Sequence, residues 1–303
     1  VLFNPKSESN AFDEKIFNRE KQTLEQKITS IKDDKMSYAN MRLIDHMCKD
    51  EPYAYHVHGY PEDLEKLTAA DLYEYYQTFI NHDLLDVYIT GDVDEDEAER
   101  LIDKYFIREN ASNQALIEKK TNTQPVDESK EIIEEDELNQ GKLHLGFRTH
   151  TTFGDEDYYA LQIFNGLFGG FPSSKLFMNV REKHSLAYYA ASRFESHKGL
   201  LLVFSGIAPD VYEQAKSIIL EQVEAMRNGE FTEEEVEQTK ELVVNQLLET
   251  MDSAQGLIEI LYHQVLSGHM VEAEELIENI RRVTMQEVVD MAKKIELDTI
   301  YFL

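Results

Sequence analysis

The chain repeats itself, and that repetition limits its fold more than any other feature. Slid along itself by 219 positions, FDEKIFNREKQTLEQKI from Phe12 lies over FTEEEVEQTKELVVNQL from Phe231. In that register Phe17 meets Val236, Lys21 meets Lys240, Leu24 meets Val243 and Ile28 meets Leu247. Near an offset of 216, LTAADLYEYY meets VTMQEVVDMA, and each reads as a helix opened by a Thr N-cap with an acid three residues on. A strand-like run follows in both copies, LDVYI in one and LDTIY in the other. Amphipathic helices resemble one another by chance, but helix, capped helix and strand in a fixed order mark a duplication. The second copy begins near residue 130 and uses about 100 residues before Phe231, whereas eleven precede Phe12. The first copy is therefore expected to lack most of its front half, something like 80 to 90 residues.

Between these anchors the pattern changes from one period to another. Residues 8–48 are predicted helical, with Phe12, Ile16, Leu24, Ile28 and Ile31 on one face. LLDVYITGDV (84–93) reads as a strand and DEDEAERLIDKYF as an acid-started helix. Residues 108–128 lose periodicity and read as a linker. From about residue 130, KEIIEEDEL and KLHLGFRTH read as strands, and DYYALQIFNGLF as a helix ending at Gly169-Gly170. SSKLFMNVREKH reads as a second helix, and LAYYAASRFES with KGLLLVFSGIA as an antiparallel hairpin. Three helical runs and a last strand, LDTIYFL, complete the chain. The expected class is α+β, with duplicated domains that each pack helices on an antiparallel sheet. The first domain, truncated at its N-terminus, takes 1–107, the linker 108–128 and the second domain 129–303.

Charge narrows the partners. The chain has 59 acidic against 30 basic side chains, a formal charge of −29. That sign opposes nucleic acid, whose phosphates need clustered Lys and Arg, and it opposes an anionic membrane surface. Cationic peptides or a basic protein remain electrostatically favoured. Cys48 is the one cysteine, so no internal disulfide forms, and the usage fits a reducing cytoplasm. The most apolar run, around Gly199–Phe204, is far too short for a membrane span, and no signal peptide is visible.

Few side chains suggest chemistry. His56-x-His58 would share one face of a strand, but no Cys or carboxylate completes a metal set, so an ordinary polar loop or edge is the plainer reading. His144, His150, His184 and His197 are scattered and read as structural or exposed. FNGLFGG follows a helix and lacks the Gly-Lys-Ser/Thr ending of a phosphate loop, so it reads as a helix C-cap with left-handed Gly. VREKHSLAYYAASRF places Arg181 seven residues before Tyr188, where a helix hands over to a strand. A guanidinium fork and a phenol hydroxyl both suit a peptide carbonyl or an oxyanion. The alternative is that Arg181 pairs with Glu182 or Glu195 while Tyr188 fills a core.

Two stretches carry a family likeness across nearly the whole chain. DEPYAYHVHGYPEDLEKLTAADLYEYYQTFINHDLLDVYITGDVD (50–94) and FNGLFGGFPSSKLFMNVREKHSLAYYAAS (164–192) resemble the pitrilysin/insulinase zinc metallopeptidases, which include the mitochondrial processing peptidase subunits. Within that family the chain looks most like bacterial members of the low-GC Gram-positive group, some associated with 5-aminopentanol modification of elongation factor P. The resemblance implies that Arg181 and Tyr188 reach toward a substrate backbone from the second domain, and that Gly169 and Gly170 border the substrate chamber. It implies a His-x-x-Glu-His zinc motif in the first domain, which these 303 residues do not contain. The distal zinc ligand is expected seven residues after the Glu of an Arg-Glu pair, and from Arg19-Glu20 that position is Lys27. An ammonium has no lone pair to offer a metal. A register shift of two would substitute Glu25, which is rotated about 200° off that face.

The resemblance thus implies a cytoplasmic, non-catalytic, peptide-binding subunit without its own cofactor. Its partner would be a zinc-bearing homologue or a second copy, with zinc held by that partner or by a segment upstream of residue 1. Two alternatives stand beside it: an active zinc endopeptidase whose motif lies upstream, and a non-enzymatic scaffold subunit.

Overall fold

The computed structural model describes residues 2–106, 108 and 125–303, so most of the expected linker 108–128 lies outside the described residues. The described residues form two compact units. One takes the residues up to Asp34 together with those from Tyr55 to 108; the other joins Lys35–Ala54 to 125–303. Residues 35–54, which the sequence boundary placed with the front domain, thus pack in the second unit.

In the first unit β1 (Ser7–Glu8) and β2 (Ala11–Phe12) form a minimal ladder before α1 (Glu14–Ser30). The single helix expected over 8–48 breaks at residues 31–34 and resumes in the second unit as α2 (Lys35–Met47). In α1 the buried side chain is Phe17, on a face shared with Lys21, Leu24 and Ile28, while Ile16 is exposed. α3 (Pro61–Lys66), α4 (Ala69–His82) and α5 (Glu95–Tyr105) follow. The expected strand over 84–93 does not form, because among the described residues no strand lies beside it to complete a ladder.

The second unit holds a five-stranded sheet in the order β3-β7-β4-β6-β5. Its strands are β3 (Lys130–Ile133), β4 (Gly141–Arg148), β5 (Ala187–Glu195), β6 (Leu200–Ile207) and β7 (Glu296–Phe302). All neighbours are antiparallel except β3 and β7. One face, with Leu143, Leu145, Phe147, Leu201, Val203 and Ile300, buries against α6 (Tyr158–Asn165), α7 (Tyr212–Arg227) and α8 (Glu233–Met251). α9 (Ala254–Ser267), α10 (Ala273–Arg282) and α11 (Met285–Lys294) complete five helices after the hairpin, where three runs were expected; Ser253 N-caps α9 and splits it from α8.

The opposite face is also covered, by α2. Ala39, Leu43, Met47 and Cys48 close over Leu200, Leu202, Phe204 and Tyr301. Burial on both faces explains why β6 reads LLLVF instead of alternating. Gly146 makes the approach possible: a Cβ there would sit 2.5 Å from the Met47 sulfur. Beyond the helix, Arg148 donates to the Met47 carbonyl (2.8 Å), Glu51 (2.7 Å) and Asp298 (2.9 Å), and Lys198 pairs with the other Glu51 oxygen. Burial alone would raise the Glu51 carboxyl, but Arg148 and Lys198 hold it below its usual range.

The duplication seen in the sequence recurs in the hydrogen bonds. Lys21 of α1 donates to the Glu65 carbonyl (3.5 Å) and the Leu67 carbonyl (3.0 Å) at the end of α3, and Lys240 of α8 donates to the Arg281 carbonyl (3.0 Å) near the end of α10, the residue that matches Glu65 at an offset of 216. Thr68 with Asp71 and Thr284 with Glu287 then each close a reciprocal capping box. Equivalent residues thus satisfy equivalent orphan carbonyls in both copies.

Candidate peptide-binding edge

Arg181 lies in the last turn of a π-helical segment, Leu176–Lys183, that follows another at Gly166–Gly170. Neither is the plain helix expected, and such wide turns concentrate at functional sites. The second segment is anchored by buried Leu176 and Val180. Its end is tied to the start of β5, with the Leu186 amide donating to the Val180 carbonyl (3.0 Å) and His184 to Asn179 (3.3 Å). The residue before Arg181 is thereby bonded to the residue two before Tyr188, so the two candidates flank one corner.

Tyr188 owes its position to a bulge. Ala187 pairs with Ile207 and Tyr189 pairs with Gly206, which leaves Tyr188 as the extra residue on β5. Tyr189 packs toward the α2-covered face, over Gly206, where a Cβ would lie 2.4 Å from its ring. Tyr188 is 69% exposed and fills no core. Arg181 stacks its guanidinium 4.6 Å from the Phe177 ring centre and lies 3.7 Å from Glu182, a loose surface pair that leaves donors open to solvent. Both side chains therefore stand at β5, the edge strand of the sheet.

Gly169 and Gly170 are not left-handed caps, since neither is among the glycines with positive φ. Gly169 is buried against β5, where a Cβ would fall 2.4 Å from the Ser192 hydroxyl and 2.6 Å from its amide. Gly170 is exposed, and a Cβ there would lie 2.8 Å from the Asn165 amide nitrogen. Ser192 in turn donates to the Asn165 side chain (2.8 Å). Small size at 169 is what lets the first π-helical segment lie flat on the edge strand.

The metal candidates do not assemble. His56 and His58 fall in a turn, not a strand, and His56 stacks on Tyr60 with ring centres 4.7 Å apart. Lys27 is exposed in the last turn of α1. Among the described residues no three His, Cys, Asp or Glu are placed to hold a metal ion. His144 is buried against Phe204, His150 pairs with Glu296 (2.9 Å) and His197 lies 2.6 Å from His263. Sequence reasoning missed the bulge at Tyr188, which no spacing rule marks, and the Arg148–Glu51–Lys198 cluster, whose members lie far apart in the chain.

The M16 peptidase family, through its inactive domain, matches residues 66–243. The chain belongs to the M16 peptidase family. It is 50% identical over 303 residues to a probable inactive metalloprotease of Bacillus subtilis, YmfF, covering all of this chain and 71% of that one. An uncharacterized zinc protease of the same organism, YmxG, is 25% identical over 94% of this chain and 69% of its own length. A crystal structure of a conserved protein from Enterococcus faecalis superposes with a TM-score of 0.90 at 36% identity, covering 100% of this chain and 71% of that one. These likenesses agree with a peptidase-like, non-catalytic chain. No helix among the described residues is long and apolar enough to cross a membrane.

Proposed function

We propose that this M16 family member binds peptide without cutting it, and works beside a zinc-bearing homologue that cuts. The observation that carries the reading is the pairing of two features. Arg181 and Tyr188 stand exposed at β5, an edge strand of the sheet among the described residues, while Lys27 occupies the position where a distal zinc ligand is expected. An edge strand offers unpaired backbone N–H and C=O groups to an extended chain. The Arg181 fork and the Tyr188 hydroxyl add donors for that chain's carbonyls. A net charge of −29 favours cationic peptides as substrates. Gly169 supports the edge from behind, and Gly170 borders it. The partner is a homologue with an intact His-x-x-Glu-His motif or, failing that, a second copy, and the setting is the cytoplasm, in keeping with the single cysteine.

The test is peptide binding by fluorescence anisotropy, followed by turnover in the mixed complex. Arg181→Ala and Tyr188→Phe are expected to weaken binding about tenfold each, as the loss of one charge-assisted or one neutral hydrogen bond would. One tightly bound zinc per chain in the protein expressed from its complete gene would overturn the non-catalytic reading in favour of an active peptidase. Unchanged binding and turnover in both variants would favour a scaffold subunit.

A further inference from the structure

The corner at Arg181 and Tyr188 and the strand that leaves it are basic, against the sign of the chain as a whole. Residues 181–193 carry Arg181, Lys183 and Arg193 against the carboxylate of Glu182, in a chain whose formal charge is −29. Arg181 and Lys183 arrive on the π-helical segment. Arg193 stands near the far end of β5. From Tyr189 to Arg193 the strand advances four residues, roughly 13 Å at about 3.3 Å per residue.

The ladder fixes the face on which Arg193 stands. It pairs with Leu202, as Ala191 pairs with Phe204 and Tyr189 with Gly206, and directly opposite residues share a face. Leu202 and Phe204 belong to the face that α2 covers, but the cover stops short of β5. Ala191 is exposed, and the Arg193 side chain is 57% exposed. The Arg193 guanidinium carbon lies 5.3 Å from the Phe204 ring centre, a cation–π contact that holds the side chain to the sheet. Glu195 approaches one of its terminal nitrogens at 3.3 Å, an exposed pair of little strength. The opposite face of β5 is closed. Ala190 and Ser192 are buried there, and Gly169 lies against Ser192.

An extended peptide added along β5 sets alternate side chains on the two faces. On the closed face they meet the first π-helical segment; on the other they meet a shelf made by Ala191 and Arg193. Arg193 rises from that face and so reaches the peptide's side chains, whereas Arg181 and Tyr188 serve its backbone. We infer that Arg193 is a specificity-determining residue that pairs with an Asp or Glu side chain of the bound peptide, about four residues from the one beside Tyr189. Its planar fork takes a carboxylate in two parallel hydrogen bonds. The inference rests on the peptide-binding reading above and gives that peptide a pattern. It is basic overall, as the field of the chain favours, with one acid at a set distance from the corner.

The test is fluorescence anisotropy with an extended basic host peptide, carrying one Glu stepped through its positions, and the matching Gln series. Beside Arg193, Glu is expected to bind about two- to fivefold tighter than Gln, as an opposite-charge cross-strand pair would. Arg193→Gln should bring that ratio to about one, and Arg193→Glu should reverse the preference in favour of Lys at the same position. Each is a ratio between two peptides on one protein, so a smaller folded fraction does not imitate it. A host peptide that binds with Glu and Gln equal at every position would overturn the inference and leave the peptide reading standing. A Glu preference that persists in Arg193→Gln would overturn it too, because another cation then holds the acid. Failure of every peptide to bind would remove the peptide reading, and this inference with it.

Discussion

His144 sits at the centre of the α2-covered sheet face, opposite Phe204 on one neighbouring strand and Tyr301 on the other. It is fully buried, and neither ring nitrogen has a hydrogen-bond partner. Burial pushes its pKa down to about 3, with Lys142 adding in the same direction. The unfolded chain, with an imidazole near its ordinary value of about 6.5, binds more protons than the folded one between those two limits. Stability therefore rises with pH across that window and falls as the solution is acidified from about 6.5. From pH 7.5 to pH 5 this one group should cost about 2 kcal/mol, and about 3 kcal/mol by pH 4. The lowered carboxylates Glu51, Glu131 and Glu134 act lower, since their contribution is complete above about 4.5 and is lost below it. Urea unfolding of the protein and of His144→Leu, compared at matched pH, isolates the histidine because every other group cancels in the difference. The gap between the two should shift in the variant's favour by about 2 kcal/mol between pH 7.5 and pH 5. A gap that stays constant, or a His144 ring resonance that titrates near 6.5 in the folded protein, would refute the reasoning.

Three further outcomes follow from contacts on the same unit. Gly146→Val puts a Cβ within reach of the Met47 sulfur and should destabilise by about 1 to 3 kcal/mol, read as a lower urea midpoint. Gly169→Ala meets the backbone of Ser192, which cannot give way as a side-chain tip can, so the loss should be larger than for Gly170→Ala, whose nearest neighbour is the Asn165 amide end. Thr232→Ala removes the hydroxyl half of the α8 capping box and should cost about 1 kcal/mol in the same assay, with peptide binding at β5 unchanged.

The fold was legible where local chemistry decides it. Capping boxes at Thr68, Thr232 and Thr284 stand at the helix starts that their Thr-x-x-acid spacing marks. The hairpin of β5 and β6 follows from two runs rich in strand-forming residues and a turn. Failures came where the deciding neighbour is remote in sequence. Residues 84–93 have strand chemistry, but a strand exists only beside another strand. The helix over 8–48 has unbroken periodicity, yet its second half belongs to a different unit, held by Gly146, Arg148 and Lys198 from more than 90 residues away. Gly169 looked like a helix stop because Gly commonly is one; its actual constraint is the Ser192 backbone, which no local pattern encodes.

The candidate site divides along the same line, and the division bears on function. Arg181 and Tyr188 were chosen for their donors, and spacing alone left open whether Tyr188 fills a core. One inserted residue settles its direction: without the bulge, strict alternation from Ala187 would send Tyr188 and Tyr189 to opposite faces with Tyr188 paired across to β6. The bulge instead frees it from the ladder at the point where the π-helical segment delivers Arg181. Backbone irregularity in both elements, a bulge and a wide helical turn, converges on the exposed corner of a sheet that is otherwise regular. Such irregularities cost ladder and helix bonds. A variant that deletes Tyr188 should restore regular β5–β6 pairing and keep or raise stability while abolishing peptide binding. If it binds peptide as the parent does, the corner is a structural accident and the edge strand alone carries recognition.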